Sequence, residues 1–154
     1  MAMTMSGHVI LPADRVTVWA ALNNPEVLKN SIPGCQELEK VSDTEFTATA
    51  KVAVGPVKAT FKGKVNLSDI DPPNGYRISG EGQGGVAGFA KGGAKVLLDE
   101  AENGGTHLSY DVEAQVGGKL AQLGGRLING VAKKYADQFF KNFTQAVAPT
   151  HAAT

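Results

Sequence analysis

The sequence predicts an α+β domain in which a run of antiparallel strands is followed by one long helix. Three observations carry this. Between Cys35 and Val116, apolar and polar residues alternate with a period of two. From about Gly118 to Val147, apolar residues recur instead at spacings of three and four. The strand patterns follow one another without intervening helices, which excludes a βαβ parallel sheet.

Taken in order, Thr4 to Ile10 reads as a first strand. Pro12 suits a first helical position, with Asp14 in the first turn where a carboxylate favours the helix dipole. Val16, Trp19, Ala20 and Asn23 then fall at helical spacing, which makes Trp19 the anchor of this helix to the core. Asn24 caps a second short helix that has Pro25 at its first position. Pro33 disfavours helix at Ile32, so this element stops at Ile32-Pro33-Gly34.

The strand region has five inward rows. Phe46, Ala48, Ala50, Val52 and Val54 precede a Gly55-Pro56 turn. Val57, Ala59, Phe61, Gly63, Val65 and Leu67 precede a turn at Asp71 to Gly75. Tyr76, Ile78, Gly80, Gly82, Gly84 and Val86 form the third row, and Ala90, Gly92, Ala94, Val96 and Leu98 the fourth. After the Asn103-Gly104-Gly105 turn come Leu108, Tyr110, Val112, Ala114 and Val116. Polar residues between them imply a sheet with one packed and one wet face. The long helix carries a stripe of Leu120, Leu123, Leu127, Val131, Tyr135, Phe139 and Phe143, with Asp137 and Lys141 as an i,i+4 pair. Pro149 ends it. One domain over residues 1–148 and a short disordered tail over 149–154 are expected.

Bulk composition excludes several function classes. Fifteen basic and fifteen acidic residues cancel, which argues against a nucleic-acid binder. Cys35 is the one cysteine, so no intrachain disulfide exists and a reducing compartment fits. The N-terminus shows no secretory signal pattern, and no stretch nears the roughly 20 apolar residues of a membrane span. A cytoplasmic location is expected, peripheral to the inner face of the membrane at most.

Glycine is over-represented: 19 of 154 residues, against a usual ~7%. Many of the small residues sit mid-strand on the inward face, among them Ala48, Gly63, Gly80, Gly82, Gly92 and Ala94. A face meant to fill its own core would use branched side chains there. Gly124, Gly125 and Gly130 repeat the theme in the helix, at about 1 kcal/mol each relative to alanine. Two explanations stand open: a hollow for a ligand, or close helix–sheet approach and strong strand bending.

Three segments bear on this choice: Val18 to Leu28 leading into Ile32-Pro33-Gly34-Cys35, Gly80 to Lys95, and Gly117 to Phe143. In these the chain resembles the carbon monoxide dehydrogenase CoxG family, of the wider START-like (SRPBCC) group. The likeness covers nearly the whole chain. It implies a helix-grip fold, with a seven-stranded antiparallel sheet wrapped around a long C-terminal helix, two short helices after the first strand, and a hydrophobic tunnel between. It also implies an accessory, non-enzymatic role beside a molybdenum-containing CO dehydrogenase-type hydroxylase: maturation, membrane recruitment or carrier traffic. Some members of the family have a C-terminal membrane-binding extension. The present sequence stops at Thr154, so at most peripheral membrane contact is expected.

Candidate chemistry is otherwise sparse. Gly80-x-Gly82-x-x-Gly85 matches the dinucleotide fingerprint as a string, but a strand follows it rather than a helix. His8 and His107 become neighbours if the first and last strands pair, without a third ligand for a metal. Cys35 has no identifiable base to activate it. Lys51, Lys58, Lys62, Lys64 and Arg77 all point outward, as a solvated face or a docking surface. The expected function is binding of a lipophilic molecule, a lipid or isoprenoid quinone, as cargo rather than cofactor. The expected lining is Trp19, Phe61, Gly82, Gly84, Phe89, Leu123, Leu127 and Val131. A protein–protein docking module and a cyclase- or hydrolase-type enzyme are the alternatives.

Overall fold

The computed structural model describes residues 2–148, the side chain of Asn103 apart. The expected tail over 149–154, with Pro149 and His151, lies outside the described residues. Seven strands form one antiparallel sheet: β1 (Ala2–Leu11), β2 (Cys35–Lys40), β3 (Glu45–Val54), β4 (Val57–Asp71), β5 (Gly75–Gln83), β6 (Phe89–Glu100) and β7 (Thr106–Gly117). Their order across the sheet is β1-β7-β6-β5-β4-β3-β2. Helices α1 (Arg15–Leu22) and α2 (Pro25–Ser31) follow β1. A one-turn helix, α3 (Lys119–Gln122), and the long α4 (Gly125–Val147) close the chain.

The short helices begin where side chains can cap them. Asn24 Oδ1 accepts from the backbone N–H groups of Glu26 and Val27, as expected, with Pro25 next in line. In α1 the cap is Asp14, not Pro12 as the helix start: Asp14 is extended, and its carboxylate accepts from Thr17 N–H at 2.8 Å. Hydrogen bonding from the Thr17 side chain, and then from its backbone N–H, holds the Asp14 carboxyl below its usual range. Starting the helix at Arg15 also rotates its apolar face. Val18 and Leu22 are the buried residues, and Val16 is 69% exposed.

The inward rows hold, with one exception. Val86 belongs to a single 3-10 turn at Gly85–Ala87, and at 84% exposure it leaves the row that Tyr76 to Gly84 continue. Register places the rows side by side across the sheet. One line reads Ala48, Gly63, Gly82, Ala90, Val116; the next reads Phe46, Val65, Gly80, Gly92, Ala114, Met3. The bare positions therefore meet: Gly63 faces Gly82 and Gly80 faces Gly92.

Large side chains gather on either side of these lines, toward the two ends of the strands. One buried cluster joins Leu11, Val18, Leu22, Phe46, Tyr76, Leu98, Leu108, Phe143 and Val147 with their neighbours. A smaller one joins Met3, Val54, Val116, Leu120 and Ile128. Polar ties pin the larger end. Thr106 Oγ1 donates to the Ala13 carbonyl at 2.7 Å, and Asn142 Nδ2 to that of Ser31 at 3.1 Å.

The C-terminal element is not one continuous helix. It breaks between α3 and α4 at Leu123-Gly124, where Gly124 has φ +90°, a conformation glycine adopts without the penalty a Cβ brings. The break re-phases the stripe. Ile128 is buried, whereas Leu127 is 38% exposed. Asp137 pairs one turn back with Lys133 at 3.1 Å, rather than with Lys141.

The mid-sheet glycines do two different jobs. A Cβ at Gly63 would run into the Glu81 carbonyl, and one at Gly92 into the Glu113 carbonyl, so there the neighbouring strand lies too close for any side chain. A Cβ at Gly82 would meet only Phe61, at an ordinary 3.8 Å, and the Lys62 carbonyl at 4.0 Å. Gly63→Ala or Gly92→Ala should therefore cost about 2–3 kcal/mol. Gly82→Ala should stay within about 1 kcal/mol of the parent. Urea unfolding of the three variants checks this.

Candidate functional site

Helix α4 meets the sheet at β1 and β3 and packs into the two clusters on either side of the mid-sheet glycines. Side-chain volume decides this. A helix cannot draw its residues onto a surface that presents no side chains without emptying its contacts at both ends. The inward residues of the middle strands, Val65, Ile78, Ala94 and Val112, are accordingly only half-buried, while Tyr76, Val96 and Leu98 further along the same rows are buried. This thinly covered stretch between the two clusters, with glycine and alanine on the sheet and α4 opposite, is the candidate gap.

The expected lining residues separate into groups. Phe61, Leu123 and Val131 pack together against the smaller cluster, at one end of the gap. Gly82 lies on its floor. Gly84 sits under the Phe61 ring, which occupies the space its Cβ would need. Phe89 opens β6 at 36% exposure with its ring over Gly117, and Leu127 reaches the Gly55 turn, so these two stand at the rim. Trp19 is at the opposite end, edge-on to Tyr76 with ring centroids 5.2 Å apart, within the larger cluster.

Residues not anticipated as lining complete the picture. Tyr110 stacks on Phe140 at 5.1 Å and lies across Gly7, whose missing side chain makes the room. Tyr135 bridges helix and sheet: its hydroxyl donates to the Ala53 carbonyl at 3.2 Å and accepts from the Ala53 N–H at 3.1 Å. Two of the phenols, Tyr76 and Tyr110, hold their protons more firmly than a free tyrosine does. Burial pushes Tyr76 far up, and burial followed by the charge of Asp137 raises Tyr110.

The polar candidates lie elsewhere. His8 Nδ1 and His107 Nε2 are 3.3 Å apart on the outer face of the paired β1 and β7. No group of three ligands able to hold a metal occurs among the described residues. Cys35 is half-buried at the start of β2, and burial raises its thiol. The outer face also has grooves. One of about 690 Å³ is lined by Lys64, Arg77, Glu81, Lys91 and Glu113 and shares Gly80 and Gly92 with the gap behind it. Its mixed charge and polar walls do not suit an apolar molecule.

A seven-stranded antiparallel sheet gripping a long C-terminal helix across a thinly lined gap defines the START-like class. A START superfamily protein from Mycobacterium smegmatis superposes with a TM-score of 0.71 at 13% identity, covering 94% of this chain and 96% of that one. The Zhui aromatase/cyclase from Streptomyces sp. R1128 superposes with a TM-score of 0.69 at 11% identity, covering 96% and 94%. Within that class the chain belongs to the carbon monoxide dehydrogenase CoxG family, whose model matches residues 7–148. A conserved protein from Geobacillus kaustophilus is similar at 30% identity, covering 94% and 95%, with a TM-score of 0.88. Among curated proteins nothing matches. No helix among the described residues is long and apolar enough to cross a membrane.

Gly130 serves neither the gap nor close packing. It is exposed, with nothing within 4 Å of where a Cβ would stand, and nothing in the structure explains it. Gly130→Ala should raise stability by up to about 1 kcal/mol through helix propensity alone. Thermal and urea unfolding would show it, and a loss of stability would mean that the helix is packed on that side.

Proposed function

We propose that the protein binds a lipophilic molecule, a lipid or isoprenoid quinone, between the sheet and α4. It acts as a non-catalytic accessory to a molybdenum-containing CO dehydrogenase-type oxidoreductase. One observation carries the binding reading: the inward face at the centre of the sheet stays partly accessible although large side chains pack on either side of it. A fold that needed only stability would fill those positions, since each buried methylene contributes about 0.8 kcal/mol. The gap is walled by Phe61, Val65, Ile78, Val112 and Val131, a surface for hydrocarbon. Family membership supports the partner.

A cyclase-type reaction would need an acid or base in the gap. The phenols available are raised by burial or, in Tyr135, tied to backbone. This supports carriage over catalysis.

The test is organic extraction of the purified protein, read by mass spectrometry, beside the Gly82→Leu variant. At Gly82 a Cβ meets its neighbours only at ordinary contact distances, 3.8 Å to Phe61 and 4.0 Å to the Lys62 carbonyl. The wild type should release a stoichiometric apolar molecule or take up an added quinone. The variant should fold and retain about tenfold less, the equivalent of ~1.4 kcal/mol of binding. An empty wild type that ignores added quinones, or a folded Gly82→Leu that retains cargo normally, refutes the reading.

A further inference from the structure

The outer face of the sheet holds a pair of side chains that the carrier reading does not use. The first and last strands, β1 and β7, pair without a bulge from Ala2 opposite Gln115 to Leu11 opposite Thr106. That register sets His8 opposite Ser109 and His107 opposite Ile10, so the two histidines are diagonal neighbours on one face. Their rings meet. His8 Nδ1 lies 3.3 Å from His107 Nε2, with ring centroids 5.2 Å apart and planes inclined by 38°.

This separation has a chemical meaning. Two imidazole nitrogens bound at about 2.0–2.1 Å to one tetrahedral Zn²⁺ stand roughly 3.3–3.4 Å apart. The same distance is long for an N–H donor, whose usual reach to an oxygen is ~2.7–3.2 Å. The surroundings add to the case. Asp99 is directly opposite His107 on β6, the side from which a carboxylate orients a metal-bound imidazole. The β4–β5 and β6–β7 turns at this end of the sheet carry Asp69, Asp71, Asp99, Glu100 and Glu102, all exposed, and no lysine or arginine. Arg15 reaches in from α1, but it engages Glu100 at 3.4 Å. The next lysine along the outer face of β6, Lys95, is opposite Asp111 in register. The field around the two rings therefore favours a cation.

We propose that His8 and His107 form a binding site for a divalent transition-type ion, Zn²⁺ foremost, that ties the edge strand β1 to β7. The two imidazoles hold the ion, and two waters complete a tetrahedral shell. Mg²⁺ and Ca²⁺ prefer oxygen ligands and do not suit this donor pair. The histidines are 99 residues apart in sequence, so only the folded chain brings them together, and the ion binds that state alone. Because β1 has a neighbouring strand on one side only, the ion reinforces the sheet where it has least support. The site lies on the face opposite the gap and does not depend on cargo.

Isothermal titration calorimetry of the full chain with zinc chloride, without any histidine tag, tests the proposal. One Zn²⁺ per chain should bind, and magnesium chloride should give no binding heat. His8→Asn and His107→Asn should each weaken Zn²⁺ binding at least about tenfold, whereas His151→Asn should leave it unchanged. With Zn²⁺ at roughly ten times its dissociation constant, the ratio of folded to unfolded chain should rise about elevenfold. That gain should appear as a higher unfolding temperature in the parent and in neither site variant. His8 is exposed, so His8→Asn should keep the parent circular dichroism spectrum and remains informative if His107→Asn does not fold. Absence of binding by the parent, or binding undiminished in His8→Asn, would overturn the proposal. So would variants that lose stability in metal-free buffer beside a parent that does not respond to Zn²⁺, since the pair would then be a hydrogen bond and nothing more.

Discussion

The constraint on which the rest of the structure depends is the absence of side chains where Gly63 faces Gly82 and Gly80 faces Gly92. Hydrophobic stabilisation scales with apolar surface removed from water, so a bare patch offers the helix nothing to pack on. The helix instead takes its contacts from the two ends. Phe139, Phe140, Phe143 and Val147 serve the larger cluster, and Ile128, Val131 and Ala132 the smaller. One core becomes two, with a thinly covered stretch of sheet between them.

Glycine makes this gap in two ways that composition cannot separate. At Gly63 and Gly92 the adjacent strand's carbonyl occupies the Cβ position, so these residues permit the close, bent approach of strands. At Gly82 the space is free, and the missing side chain is simply room. Gly84 and Gly117 are covered by the rings of Phe61 and Phe89, an arrangement in which an aromatic shields backbone that a glycine exposes. Open space and strand bending are therefore both present, at different positions of one sheet.

The rim of the gap is built from turns, and turns are free to carry side chains that the core would reject. That freedom puts Val86 in water. The far end buries its apolar residues in the main core and leaves the acidic turns outside it.

Much of this was legible in the residues. Strand alternation located the inward rows from Phe46 to Val116, because a period of two leaves only one face to bury. The Asn24-Pro25 start of α2 and its stop before Pro33 follow from local backbone chemistry, which needs no partner. Where a neighbour's geometry decided, the residues were silent. Asp14 rather than Pro12 starts α1, and that one shift exchanges Val16 for Val18 in the core. Gly124 breaks the last helix and turns Leu127 outward in favour of Ile128. Val86 continues the alternation in sequence, yet the chain has already left the sheet. The separation of Trp19 from Phe61 by the length of the gap exists only after seven strands are set in register. Sequence alone determined which residues turn inward, since that depends on period. Tertiary structure decided which of those positions are filled, bent or empty, since that depends on how closely another strand or the helix can come.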